Sequence, residues 1–218
     1  AKYVMSMNIL IILAATLFAS VAIVSEFEER TALILFTRPI KKTSIFLGKI
    51  LGCIILETVM IAVFYAGMAV VSLIVAGSLP SELLVSFGIA FLFIVAASGV
   101  AIFISSIMKK GSTCAILAFV FLLLILPIIS SVISQSTSID PWFMLDKASD
   151  AISTSIPEYV TNMNEMMQNL IDHMGLPPEM VEQMMISAPD LVKTTVAMIG
   201  WSVVSLVLAW IAFIRREF

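Results

Sequence analysis

Residues 50–77 read ILGCIILETVMIAVFYAGMAVVSLIVAG, a run of 28 residues in which Glu57 is the single charged side chain. A helix needs about 20 consecutive, mostly apolar residues to cross the ~30 Å hydrocarbon core of a bilayer. The run does not alternate between apolar and polar residues, and it is far longer than the ~10-residue strands of membrane β-barrels. It therefore predicts a membrane-spanning α-helix.

Four further stretches are similarly apolar and long, at about residues 4–25, 83–107, 114–135 and 194–214. Of the 218 residues, 61% are hydrophobic and 12% are charged, about half the charged share of an average soluble domain. The predicted fold class is all-α: a polytopic membrane bundle with five spans, forming one domain over residues 1–218. This composition excludes a soluble enzyme and a disordered regulator. The net charge of −3 excludes a nucleic-acid binder, which needs a basic excess.

The basic residues predict the orientation, because cytoplasmic loops of membrane proteins are enriched in Lys and Arg. Nine of the twelve basic residues fall in segments 26–49, 108–113 and 215–218, all on one side of the predicted membrane. On the other side, the loop 136–193 carries nine acidic residues. We therefore expect a multi-pass protein of the cell membrane with a cytoplasmic C-terminus.

Five spans and a cytoplasmic C-terminus put Ala1 on the outer side, with no signal peptide before it. We expect that the chain lacks an upstream span and that its parent has six. The alternative is that residues 4–25 are themselves a signal peptide. This is less favourable because the apolar run is too long and has no basic flank.

The first two spans are joined by SEFEERTALILFTRPIKKTSIFLGKIL, residues 25–51. Residues 26–38 begin with acidic side chains and end at Arg38, a charge order that favours a helix, and Pro39 ends it. The apolar run 32–36 is too short to cross a bilayer and too apolar for water. It predicts a short helix that lies at the membrane surface, docks into a groove of a soluble partner, or merely caps the bundle.

This stretch resembles the membrane subunit of ABC-2-type transporters. In that family a span ends in an acidic residue, a Glu and a Thr follow, an apolar stretch leads to a turn with Pro-Ile, and Gly-Lys opens the next span. The corresponding residues here are Glu26, Glu29, Thr31, Arg38, Pro39, Ile40, Ser44, Gly48 and Lys49. The family usually has Gly where this chain has Ala32, and its pattern has one more span before residue 1.

The resemblance implies a permease subunit of an ATP-driven exporter that works with a separate cytoplasmic ATPase. This sequence has no Gly-rich Lys-Ser/Thr loop, so ATP and Mg would be bound by that partner. The permease would pair with a second copy or a related permease among the membrane lipids. Segment 26–38 would be the coupling helix, and the residues implied in coupling are Glu26, Glu29, Arg30, Thr31, Phe36, Arg38 and Pro39.

Glu57 is the candidate site inside a span, because an acid in the bilayer is costly and should face protein or a wet cavity. It either lines the substrate path or a dimer seam, or it is a hydrogen-bonded structural carboxyl. Pro127 predicts a kink in the fourth span. Small residues on the third span predict close helix contacts; they are Gly88, Ala97, Gly99 and Ala101.

The outer loop 136–193 predicts an amphipathic helix from Pro157 to Met174, ended by Gly175, and a second helix after Pro177-Pro178. Together they would form a helical hairpin over the pore mouth. The family implies that short outer helices dip toward the membrane, which fits residues 141–145. The stripe on the first helix is Val160, Met163, Met167, Leu170, Ile171 and Met174.

The loop contains eight methionines, whose thioethers are soft ligands for Cu(I), so metal binding by this loop is left open. Because one branch of the ABC-2 family serves copper-site assembly, the resemblance implies a copper-related permease for metal-site assembly as the alternative function, although methionines at helical spacing more often pack in a core. An intramembrane protease is disfavoured because His173 is the single histidine. A non-transporting membrane anchor or assembly factor is the remaining alternative. No catalytic, cofactor or metal residue is predicted.

Overall fold

A computed structural model describes residues 7–28, 42–77, 79, 81–137, 141–174 and 188–215. Among these residues the secondary structure is helical and contains no strand. Five helical stretches are long and apolar enough to cross a membrane, which confirms the predicted fold class. They are Ile9–Glu26, Lys42–Ile74, Leu83–Ile107, Gly111–Ser136 and Leu191–Arg215, and we call them the first to fifth spans.

The spans alternate in direction. At one end, which we call the Lys49 end, the Lys49 ammonium lies 2.8 Å from the Glu26 carboxylate, and the Gly111 N–H donates to Glu28. At the opposite end, which we call the Trp201 end, the Trp201 indole N–H donates to the Phe143 carbonyl over 2.9 Å. The two ends therefore lie on opposite sides of the predicted membrane.

The second span begins earlier than expected. Its helix covers Lys42–Ala76, so residues 42–49 of the predicted connecting segment are helical. Phe46 explains the extension, because it is buried and its ring stacks on Phe213 with centroids 5.4 Å apart. The third span, at Leu83–Ile107, has the predicted bounds, and the fifth helix covers Leu191–Arg215.

The first span is not one continuous helix. It consists of Met7–Ala19 and Val24–Glu28, with a turn between them. The turn exposes backbone groups that must find partners inside a membrane. The Ser105 hydroxyl of the third span accepts both the Ile23 N–H, at 3.2 Å, and the Val24 N–H, at 3.0 Å. The break is therefore stabilised by a neighbouring span, which the sequence of residues 4–25 alone does not indicate.

The fourth span is irregular close to Pro127. Its helix Gly111–Val120 passes into a π-helical turn, Phe121–Ile125, and continues as Leu126–Thr137. Proline has no N–H, and its ring clashes with the carbonyl four residues earlier. The widened turn accommodates that clash; the structure thus shows a π turn beside Pro127, and the predicted kink stays a prediction.

The third span is the centre of the bundle and packs against the first, second, fourth and fifth spans. Ala97 and Ala101 are fully buried, and a Cβ added at Gly99 would lie 2.2 Å from the Ser205 Oγ. These three small residues confirm the predicted close contacts. Gly88 is exposed and has open space around it, so it makes no close contact with the described residues of this chain.

Two helices are described in the loop between the fourth and fifth spans. The resemblance implied a short outer helix at residues 141–145; the structure has residues 141–144 non-helical and a short loop helix at Leu145–Thr154, which packs against the first, third and fifth spans. The long loop helix, Pro157–Met174, has the predicted bounds, with Ile171 buried and Val160, Met163 and Met167 half-buried. The predicted second arm after Pro177-Pro178 lies outside the described residues.

Candidate functional site

Most of the predicted coupling segment lies outside the described residues. This applies to Glu29, Arg30, Thr31, Phe36, Arg38 and Pro39, so their predicted roles stay predictions. Glu26 and Glu28 are described at the end of the first span, and Lys49 is described in the second. The structure therefore describes the two places where the connection between the first and second spans leaves and rejoins the bundle.

Glu26 and Lys49 tie these two places together. The Lys49 Nζ lies 2.8 Å from the Glu26 Oε1, with about a quarter of each side chain exposed. Lys49 also donates to the carbonyl of Ala22, in the turn of the first span. Both Glu26 and Lys49 belong to the stretch that resembles the ABC-2 pattern, and the structure brings them into contact.

Glu28 is a contact that the sequence reasoning missed. Its Oε2 accepts the backbone N–H of Gly111 over 2.7 Å, at the N-terminus of the fourth span. Helix N-termini have N–H groups without helical partners and a partial positive charge, so a carboxylate is favourable there. Lys110 at the N-cap position makes no side-chain cap, and this missing cap is the sequence signal that an acid from elsewhere is needed.

Glu57 is completely buried, which confirms that it faces protein. The Ser98 hydroxyl of the third span donates to its Oε2, while its Oε1 is buried without a hydrogen-bond partner among the described residues. The partner Ser98 was not predicted, because one serine in an apolar helix gives no indication of which neighbour it faces.

A second polar contact joins spans near the Trp201 end. The Ser86 hydroxyl donates to the Ile152 carbonyl over 2.6 Å, and the Tyr65 hydroxyl lies 2.8 Å from Ser86. Because a hydroxyl has one proton, Tyr65 is the donor to Ser86. This chain connects the second span, the third span and the short loop helix.

Among the residues that the structure describes, no group of three or more His, Cys, Asp or Glu side chains could hold a metal ion. Of the eight loop methionines, Met144 is buried and Met166 is exposed. Met180, Met184 and Met185 lie outside the described residues.

Comparison with known families gives a match over nearly the whole chain. Residues 2–218 match the family described as ABC-2 family transporter protein. The chain belongs to this ABC-2 family. A search of curated proteins found no match.

Membership confirms the resemblance carried by residues 25–51 and covers all five spans. ABC-2 permeases are the membrane subunits of ABC transporters, and in general they work with an ABC ATPase. This chain is accordingly a multi-pass membrane protein of the permease type. Glu26 and Glu28 lie at the start of the segment that the family resemblance assigns to coupling, and Lys49 lies beyond its end.

Proposed function

We propose that this chain is the permease subunit of an ATP-driven exporter and that residues 26–38 couple it to a separate cytoplasmic ATPase. The family match over residues 2–218 carries the proposal. The Lys49 end would face the cytoplasm, with the C-terminus on the same side, because the basic residues gather there. ATP and Mg would be bound by the ATPase.

The coupling would be mechanical. The groove of the ATPase must hold segment 26–38 differently in its open and closed states, since a partner that binds both states equally shifts nothing. A displaced segment would pull on the second span through Glu26–Lys49 and on the fourth through Glu28–Gly111. The third span would follow because Ser105 is bonded to the turn of the first.

The substrate path would lie between this chain and a second copy or a related permease. Glu57 would belong to that path or to the seam beside it. Its buried position between the second and third spans supports this role, because a carboxyl oxygen without a partner is a poor structural element. Separation of these two spans during transport would expose that oxygen to water or to substrate.

The direct test is Phe36→Asp in the proposed coupling helix, with the ATPase subunit co-expressed. We expect the charge to prevent docking of the apolar run, so that co-purification of the ATPase and permease-dependent ATP hydrolysis both fall at least tenfold. Met166→Asp is the matched control, because Met166 is exposed on the long loop helix on the opposite side. Unchanged complex formation and hydrolysis in Phe36→Asp would show that the coupling assignment is wrong.

The copper-related alternative is tested by titrating the purified full chain with Cu(I) or silver. Saturable binding that is lost when the loop methionines are replaced by leucine would favour it. The same experiment also tests the alternative of a pure membrane anchor. If the chain were an anchor, the unmodified protein would bind a partner without stimulating ATP hydrolysis.

A further inference from the structure

Glu57 is enclosed where the second span packs against the first and third spans. The side chain has no exposed surface, and the Ser98 hydroxyl of the third span contacts it. One helical turn away, the Cys53 thiol donates to the Phe18 carbonyl of the first span over 3.7 Å. Bulk water and lipid therefore do not reach the carboxyl group while the spans are packed in this way.

The contacts of the Glu57 carboxyl group are too few for a negative charge. An ionised carboxylate has about four lone-pair sites that accept hydrogen bonds. Among the described residues, Glu57 has one donor, the Ser98 hydroxyl at Oε2, and its Oε1 is buried without a partner. Burying a carboxylate that lacks a cation or several donors costs far more than burying a neutral polar group. The geometry therefore favours the uncharged acid.

Among the described residues, no cation compensates the acid. The first-span helix Met7–Ala19 and the third span contain no titratable side chain, and the fifth span has charges only near its two ends. On the second span, Lys49 is eight residues away, or about 12 Å along the helix, and it is paired with a glutamate at its own end. The titratable neighbours within two turns are Cys53 and Tyr65, a thiol and a phenol that are ordinarily neutral at pH 7.

We propose that Glu57 is a proton-binding site, which holds a proton on Oε1 while the second and third spans are packed together. The contacts identify the oxygen, because Oε2 accepts from Ser98 and so corresponds to the carbonyl oxygen of the neutral acid. Binding transfers one proton from water to the carboxylate. It forms the Oε1–H bond and removes the negative charge of the side chain.

The proton would leave Glu57 when the second and third spans separate and water enters. A glutamate in water has a pKa of about 4.3, so a hydrated Glu57 would be ionised at pH 7 and would need a proton before the spans could pack again. This release rests on the proposed function, because movement of segment 26–38 would separate the spans. The protonated state of the packed bundle stands without it.

The test is infrared spectroscopy of the full chain at pH 7 in dodecyl maltoside, a detergent without carbonyl groups. The carbonyl stretch of an undissociated carboxyl group is distinct from the bands of a carboxylate. We expect the undissociated band in the difference between the wild-type chain and Glu57→Gln. Glu158→Gln is the matched control at an exposed acid of the long loop helix, and its difference should show carboxylate bands.

Ser98→Ala gives a second signature of the same group. It removes the hydrogen bond to Oε2, so the undissociated band should move to higher frequency and keep its intensity. General loosening of the bundle would instead admit water and replace the band by carboxylate bands. This shift keeps the test decisive if Glu57→Gln folds poorly.

Deuterium exchange tests the release of the proton. In heavy water the Oε1–H group becomes O–D, and its band moves to lower frequency, only after solvent reaches Glu57. We expect slow exchange in the chain alone and exchange at least tenfold faster while a co-expressed ATPase subunit hydrolyses ATP. Exchange that ATP hydrolysis does not accelerate would overturn the proposed release.

Carboxylate bands in the Glu57→Gln difference at pH 7 would overturn the proton-binding site. So would an undissociated band that sodium or potassium chloride converts to carboxylate bands, since that result indicates a metal-cation site. Failure of the proposed function gives a different result. Phe36→Asp should abolish ATPase binding and the accelerated exchange and retain the undissociated band, whereas loss of that band would leave ATPase binding intact.

Discussion

Glu57 and Ser98 form a buried hydrogen bond between the second and third spans. Because an acid in the bilayer is costly, the sequence predicted that Glu57 faces protein or a wet cavity, and the structure confirms that it is buried in protein. Its partner could not be predicted, because several serines of the third span lie in equally apolar stretches of sequence, including Ser98, Ser105 and Ser106. Rotation and depth of a helix decide which of them meets the carboxyl, and packing determines both.

The pair gives a prediction at this scale. Among the described residues, Ser98 is the donor to Glu57, so Ser98→Ala leaves both carboxyl oxygens without a partner there. We therefore expect a loss of about 1–3 kcal/mol in the free energy of unfolding. The double variant Ser98→Ala with Glu57→Met replaces both partners by apolar groups and should be much less destabilised.

Thermal unfolding in detergent, followed by circular dichroism, measures both variants. If the double variant is no more stable than Ser98→Ala, the cost does not come from an unpaired buried carboxyl. The same double variant should lose permease-dependent ATP hydrolysis if Glu57 serves the path, although its fold is retained.

Among the described elements, the third and fifth spans make the most extensive contact, and Gly99 lies within it. A Cβ at this position would lie 2.2 Å from the Ser205 Oγ and 3.3 Å from its Cβ. The hydroxyl can rotate away, but the Cβ can move only with the backbone. We expect Gly99→Ala to destabilise the bundle by about 1–3 kcal/mol, measured by thermal unfolding.

Gly200→Ala in the fifth span is the control, because a Cβ there has no atom within 4 Å. It should be neutral or stabilising by up to about 1 kcal/mol, as expected for replacing Gly by Ala in a helix. Ser205→Gly combined with Gly99→Ala should restore part of the lost stability. Equal stability of Gly99→Ala and Gly200→Ala would contradict the close contact.

Element boundaries show where sequence reasoning succeeds. The third span and the long loop helix were predicted with their bounds, because Pro157 begins the loop helix and residues 83–107 form an uninterrupted apolar run. The bounds of the short loop helix Leu145–Thr154 and the break in the first span were missed. Both are stabilised by distant partners: the Ile152 carbonyl accepts from Ser86, and Ser105 accepts from the turn of the first span.

Over the whole molecule, the distribution of charge organises the proposed function. Basic residues gather at the Lys49 end, where Glu26 and Glu28 connect the proposed coupling segment to two spans. Acidic residues gather in the loop at the Trp201 end, where two aspartates line a cavity. The sequence predicted this sorting of charges. The cavity could not be predicted from the sequence, because its residues come from segments more than 100 positions apart.

Site-specific photocrosslinking tests the central claim most directly. A photoreactive phenylalanine analogue replaces Phe36 in one sample and Met166 in another, in cells that also express the ATPase subunit. We predict a crosslink to the ATPase from position 36 and none from position 166, since the two positions would lie on opposite sides of the membrane. A crosslink from position 166, or none from position 36 while the complex still forms, would contradict the proposed coupling role of residues 26–38.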